Sequence, residues 1–385
     1  MNRAGTVIVE GHVQGLSNTR ALGECGVPVI VVDRHNCLAR YSKYCDGFFK
    51  CPDYNSPEFI SFLLDLAKKK GLKDWFLFPS NDHAVYNISV NHEKLLKYYK
   101  IITPEQHIID QIYNKGELLK VGQLCGVPIP KTWYFEKLED FVFENIKYPC
   151  LVKGKFGLDF YKKTGKKAFF ADSPNGLRST LLQIQKEICP SEIIIQELIP
   201  IKNNKTISCT VFAINGEVMT YWMGIKIREH PLRFGTATFT KSIFINELLA
   251  HSKKLMSNLK YTGTCEIEFI YDKNQDQYKL IEINARTWLW VDLAKKCGIN
   301  YAVLSYNYLN KIENTYKNVY NDKLQWIHYL TDIPYSLLGL LRGEYKIQEI
   351  IISYLKFPQP AVFQKTDILP SIAEFFLLPS FIRKR

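Results

Sequence analysis

The chain has 385 residues, 46% of them hydrophobic, enough for two or three domains with substantial cores. No run approaches the roughly 18 uncharged apolar residues of a spanning helix. The first apolar run (Val7, Ile8, Val9) is cut short by Glu10 and His12, so no secretory leader is expected and the expected compartment is the cytoplasm. The net charge of +12 comes from lysines dispersed along the chain rather than gathered in one arm, which argues against nucleic acid as a partner. Glycine-flanked lysines (Lys115, Lys153, Lys155, Lys166) fit phosphate handling or a solvated basic surface. Cys37, Cys45 and Cys51 lie near His35 but match no zinc spacing and read as reduced thiols.

In chain order, residues 6–9 form a β-branched run that reads as a buried strand. A turn with Gly11 and Gly15 follows, then a helix from about Ser17 to Cys25 stopped by Gly26. Val29 to Val32 is the next strand, ending at Asp33, a turn residue or a ribose ligand. This is a βαβ unit and implies a parallel sheet. A helix over 57–70 and a strand from Trp75 to Phe78 extend it. Ser80, Asn81 and Asp82 then stand at the strand's carboxyl end, where open α/β sheets bind ligands. The glycine spacing is not that of a dinucleotide fingerprint.

A second pattern starts near Asn114, with a helix over 115–125 ending at Gly126. Strands are expected over 149–153, 168–171, 192–198, 206–213 and 217–225, the last two joined by Asn215-Gly216. Helices are expected over 174–188 and 246–259, and a final hairpin pairs 264–271 with 278–284. Mixed hairpins and helices make this part α+β, unlike the α/β first part. Residues 311–385 read as helical, without a cluster that suggests chemistry.

The final hairpin carries the strongest signal. Strand residues alternate faces, so Glu282, Asn284 and Arg286 share one face, as do Glu266 and Glu268. A turn pairing Asp272 with Tyr278 sets Glu268 opposite Glu282 and Glu266 opposite Asn284. Opposed like charges destabilise a sheet. The cluster therefore calls for a counter-charge, and a hard divalent cation shared with phosphates is a natural one. Arg286 suits a bidentate grip on phosphate. Ordinary salt bridges on a solvated face are the alternative. Upstream, Lys153 ends an apolar strand and opens a Gly/Lys/aromatic loop running to Lys167, read as a mobile basic cover or a lysine-rich hairpin turn. Lys226, Arg228, His230 and Arg233 cluster before Gly235.

In this order the motifs resemble the ATP-grasp superfamily, above all carboxylate–amine ligases of the D-aspartate ligase type and carbamoyl-phosphate synthase large chains. The EINAR element, with Glu268-Phe269 fourteen residues before it, is the most specific part. Ala285 stands where the family usually has proline. The resemblance implies a Rossmann-like N-terminal domain over 1–112 and a two-subdomain ATP-grasp fold over 113–310. Its small lid subdomain spans about 127–200, and a helical C-terminal extension covers 311–385. It further implies ATP and Mg2+ (or Mn2+) as cofactors. Lys115, Lys153, Gln196, Glu197, Leu198 and Ile199 then hold the nucleotide, and Glu268, Glu282 and Asn284 the metal. Arg286, Lys226 and Arg228 steady the transferred phosphoryl group, and Arg20, Ser80, Asn81 and Asp82 face the carboxylate substrate. No acidic ribose ligand is evident in Lys202 to Thr206.

The implied reaction activates a small-molecule carboxylate, an amino acid or a cell-envelope precursor, as an acyl phosphate and passes it to an amine. Two alternatives stay open. One is a carboxylase or carbamoyl-phosphate-type enzyme. The other is a non-catalytic ATP-binding module at a membrane, because Phe375 to Leu378 precede Arg383, Lys384 and Arg385. A weak peripheral membrane contact and a homodimer are carried as further expectations.

Overall fold

The computed structural model describes residues 4–200, 206–231 and 235–382. Every residue of Thr6–Val9 and of Val29–Asp33 is buried, so both faces of these strands need cover, and a parallel sheet between helices supplies it. Five strands form that sheet in the order Gly47–Lys50, Val29–Asp33, Thr6–Val9, Trp75–Pro79, Tyr99–Ile101, all parallel. The order reverses on either side of Thr6–Val9, which puts a topological switch point between it and Trp75–Pro79. The first helix runs over Val13–Gly23, earlier than expected, and is buried from Val13 to Leu22. Gly15 is required there, because a Cβ would come within 2.0 Å of the Glu10 carbonyl oxygen. Asp33 is a turn residue: its carboxylate accepts from the Gly11 and His35 amides at 2.8 and 3.0 Å.

A four-stranded antiparallel sheet follows, in the order Thr132–Tyr134, Ile193–Glu197, Cys150–Gly154, Phe169–Ala171. With helix Pro174–Ile184 it closes its own core around Phe160, Leu177, Leu181 and Ile195. The stretch after Lys153, expected to be an open loop, instead forms helix Gly157–Thr164. Phe160 anchors that helix in the core at 2% exposure, and Gly165 ends it in the left-handed conformation at φ 69°.

The third sheet has seven strands: Gln277–Asn284, Gly263–Asp272, Thr206–Ile214, Glu217–His230, Thr236–Ser242, Gln325–Ile327, Gln359–Pro360. Its last two strands correct the helical reading of 311–385; at three and two residues they are too short to show a period. Helices Tyr329–Leu341, Ile347–Leu355 and Leu369–Ile382 make up much of the rest of that segment. Trp222, Trp288 and Trp290 share one cluster with Ile8, Val13 and Leu16, so the large sheet and one face of the parallel sheet pack into common core.

Candidate active site

Strand Gly263–Asp272 pairs antiparallel with Gln277–Asn284. Near the turn Asp272 opposes Gln277 and Tyr271 opposes Tyr278, one residue off the expected register. A bulge between Glu268 and Phe269 leaves Ile281 without an opposite partner and shifts the pairing by one. Beyond it Glu268 opposes Glu282 and Glu266 opposes Asn284, as the alternation of the two strands requires. The four oxygen-bearing side chains therefore stand in a block at the end of the hairpin away from its turn.

Lysines supply much of the counter-charge. Lys226 Nζ lies 3.0 and 3.1 Å from the two Glu268 carboxylate oxygens. Burial opposes the Lys226 charge, but Glu268 and Glu266 outweigh it and hold the ammonium above its usual range. Lys115 Nζ lies 3.0 Å from Glu282 Oε2, and its charge holds that carboxyl down at about 2. Glu266 accepts from Ser208 Oγ at 2.7 Å and Asn284 Nδ2 at 3.0 Å. Burial first, then the Glu268 carboxylate, raises the Glu266 carboxyl to about 7.

Lys115 opens helix Lys115–Leu124, whose first amides (Gly116, Glu117) donate to the Asn114 side chain. Its own amide donates to the Lys155 carbonyl at 2.8 Å, tying the helix start to the end of the small sheet. Lys153 points from that sheet and donates to Gln196 Oε1 at 2.8 Å. Burial and the nearby Lys115 charge lower its ammonium to about 8. Arg286 makes a two-pronged pair with Asp82, both contacts at 2.7 Å, and Tyr113 donates to the same carboxylate at 3.2 Å. Asp82 opens helix Asp82–Val90 just beyond strand Trp75–Pro79, so the switch point of the parallel sheet meets the hairpin here.

A cleft of about 1970 Å³ joins these elements. Lys115, Lys153, Gln196, Glu197, Leu198 and Ile199 line it on the side of the small sheet, and Lys226, Glu268, Glu282, Asn284 and Arg286 on the side of the large one. Asp82, Arg228 and Glu266 line it as well. The Glu197 carboxylate is occupied, accepting from Lys279 Nζ at 2.5 Å and the Lys131 amide at 2.9 Å.

Three expected substrate residues are not among those that line the cleft. Arg20 is 5% exposed, and its guanidinium donates to Asp367 Oδ2 at 2.8 Å, the Asp367 carbonyl at 2.9 Å and the Val362 carbonyl at 2.8 Å. Ser80 is buried and its hydroxyl accepts from Asn18 at 3.1 Å. The Asn81 side chain caps the helix that Asp82 opens and donates to Glu10 at 3.1 Å. Arg228 borders the cleft, but its guanidinium grips Asp332 at 2.9 and 2.7 Å and Ser353 at 2.9 Å, which corrects its reading as a free phosphoryl ligand. Arg233 and the stretch 202–205 lie outside the described residues.

The donor set fits a hard cation in part. Among the described residues no group of three or more His, Cys, Asp or Glu side chains forms a metal cage. Glu268 and Glu282 with the Asn284 amide are oxygen donors on adjacent strands, and Mg2+ is usually bound through one or two carboxylates plus substrate phosphates. The cleft thus pairs a basic rim suited to a polyphosphate with a carboxylate floor suited to its cation.

The chain is similar to several known proteins. Residues 236–303 match the family model described as the carbamoyl-phosphate synthase L chain, ATP binding domain. D-aspartate ligase from Enterococcus faecium is 24% identical over 307 residues, covering 74% of this chain and 72% of that protein. Biotin carboxylase from Campylobacter jejuni, solved as a β,γ-ATP complex, superposes with a TM-score of 0.68 at 16% identity, over 84% of this chain and 74% of that one. L-amino acid ligase from Bacillus licheniformis gives a TM-score of 0.61 at 15% identity, over 80% and 75%. The solved structures establish an ATP-grasp fold: a parallel α/β layer followed by two α+β sheets with a cleft between them. Beyond the fold, the family-model match and the ligase relative make the chain similar to ATP-dependent carboxylate–amine ligases.

Proposed function

We propose that this protein acts in the cytoplasm, activates a small-molecule carboxylate with Mg-ATP and joins it to an amine, one of the two being an amino acid. The observation that carries the reading is the single cleft in which Glu268, Glu282 and Asn284 meet Lys115, Lys153 and Arg286. The amino acid ligases among its relatives support the substrate class. The proposed division is a preceding domain over 1–112, an ATP-grasp domain over 113–310 with its lid at about 127–200, and an extension over 311–385.

In the first step a substrate carboxylate oxygen bonds to the γ-phosphorus. The bond from that phosphorus to the β–γ bridging oxygen breaks, ADP leaves, and an acyl phosphate remains. In the second step the amine nitrogen attacks the acyl carbon, loses a proton and expels phosphate. Neither step needs a nucleophile from the protein, whose work is alignment and charge neutralisation. Lys115 and Lys153 hold nucleotide phosphates, the Gln196 to Ile199 segment flanks the base, and Arg286 with Lys226 stabilises the phosphoryl group in flight. Glu268, Glu282 and Asn284 would hold Mg2+ (or Mn2+), which would supply Lewis-acid charge. Lys115 and Lys226 reach phosphate by leaving their carboxylates, so each ion pair found here is a resting partner that nucleotide binding replaces.

Incubation with Mg-ATP, pooled amino acids and hydroxylamine tests the reading, because hydroxylamine traps an acyl phosphate. A hydroxamate formed with equal ADP is expected and names the acid. AMP in place of ADP means adenylation and overturns the mechanism. ADP release that depends on bicarbonate points instead to the carboxylase class.

A further inference from the structure

Three helices of the C-terminal segment are inside out. In Tyr329–Leu341 the buried positions are Asp332, Ser336 and Gly339, whereas Ile333, Leu337 and Leu341, spaced a turn apart, are exposed, Leu341 to 85%. In Ile347–Leu355 the buried position is Ser353, and Ile347, Ile351, Ile352 and Leu355 are exposed. In Leu369–Ile382 the side chains of Ala373 and Glu374 are buried while Leu369, Ile372, Phe375 and Phe376 are exposed. A helix covering a soluble core shows the opposite pattern. Large apolar side chains gathered on an outer surface mark a docking site.

The inward polar groups explain how this is stable. Asp332 accepts from Arg228, Thr238 and Tyr354. Glu374 meets His328 at 2.5 Å, and Asp367 meets Arg20. These three acids are buried and partnered. From residue 329 to 378 the exposed charges are therefore mostly basic: Arg342, Lys346, Lys356 and Lys365 against Glu344 and Glu349. Arg383, Lys384 and Arg385 follow in the sequence.

We propose that this outer face docks on an anionic lipid bilayer, its apolar side chains in the acyl boundary and its lysines and arginines among the headgroups. The apolar side chains alone would suit any apolar partner; the basic surround selects a negatively charged one. Among the described residues no helix is long and apolar enough to cross a membrane, so the helices lie along the interface. Glu349, Ile350 and Ser353 also line the cleft, so the docked surface borders the site. This inference stands apart from the ligase chemistry and is tested without it.

The experiment is flotation of the full chain with vesicles of phosphatidylglycerol mixed into phosphatidylcholine, and with phosphatidylcholine alone. Flotation is expected with the anionic vesicles and not with the neutral ones, and it weakens as salt screens the basic rim. Phe375→Ser with Phe376→Ser lowers partitioning about tenfold or more. Lys346→Glu with Lys356→Glu weakens it through charge alone. Both pairs are surface changes, and an unaltered thermal unfolding midpoint verifies the fold. Absence from anionic vesicles, or equal flotation with neutral ones, overturns the proposal. So does concentration-dependent self-association that the phenylalanine substitutions abolish, which would make a second copy the occupant.

Discussion

Glu282 holds an ammonium group, yet its side chain remains 37% exposed. The Lys115 pair is thus open to solvent and contributes little to stability, while the carboxylate stays available to a cation. Glu282→Gln is expected to leave the unfolding midpoint almost unchanged and to lower the rate of ADP release by about 10²- to 10³-fold, the cost of losing one preorganised electrostatic partner. Wild-type turnover by the folded variant would remove Glu282 from the site. Glu10, just past the first strand, is a residue that sequence reasoning passed over. Burial and the nearby Asp33 carboxylate raise its carboxyl from 4.5 to about 8. Between those values the folded chain keeps a proton that the unfolded chain has released. Its contribution to stability is therefore full below about 4.5 and is lost as pH rises through about 8. Glu10→Gln is expected to flatten that decline, so thermal unfolding of the two proteins should diverge progressively between about pH 4.5 and 8 and keep a constant offset above. Parallel curves across that window would exclude the titration.

The small sheet behaves as an element with its own core, and that has a measurable consequence. Leu177 is fully buried against Phe160 and Ile195 in a cluster separate from the other three cores. Leu177→Ala is expected to cost about 2–5 kcal/mol locally. Amide exchange should accelerate in Cys150–Gly154 and Ile193–Glu197 while Gly263–Asp272 keeps its protection. Uniform acceleration would show one cooperative unit instead. Much of this element structure was legible because its signals are local. Alternation within 263–284 identified the shared face, and β-branched runs identified the parallel strands. The bulge at Glu268/Phe269 was not legible, since an extra residue changes register without changing composition. Helix Gly157–Thr164 hid behind glycines and lysines, because only the burial of Phe160 holds it. Counter-charges were illegible for a different reason. Lys115 and Glu282 are 167 residues apart, and Arg20 and Asp367 are 347 apart, distances at which sequence carries no spacing rule.

Across the whole molecule the C-terminal segment ties together the two parts that precede it. Asp332 receives Arg228 and Thr238 from the large sheet. Asp367 receives Arg20, Ser42 and the Lys43 amide from the N-terminal layer. Each clamp pairs a buried arginine with a buried carboxylate, and breaking one partner of such a pair costs about 3–5 kcal/mol because the other is left buried without it. Asp367→Ala should therefore destabilise the protein by that amount, seen as a lower denaturant midpoint. Combining Arg20→Met with Asp367→Leu should recover part of the loss, since apolar replacement of both partners removes the stranded charge; the Val362 carbonyl and Lys43 amide still lose their bonds, so recovery is incomplete. The same double variant separates the two roles available to Arg20. As a clamp it can be replaced with little change in KM for either substrate once the fold is restored. As a substrate ligand it cannot, and KM would rise with the stability repaired. The geometry, with each of its three guanidinium nitrogens bonded to residues 362–367, predicts the first result.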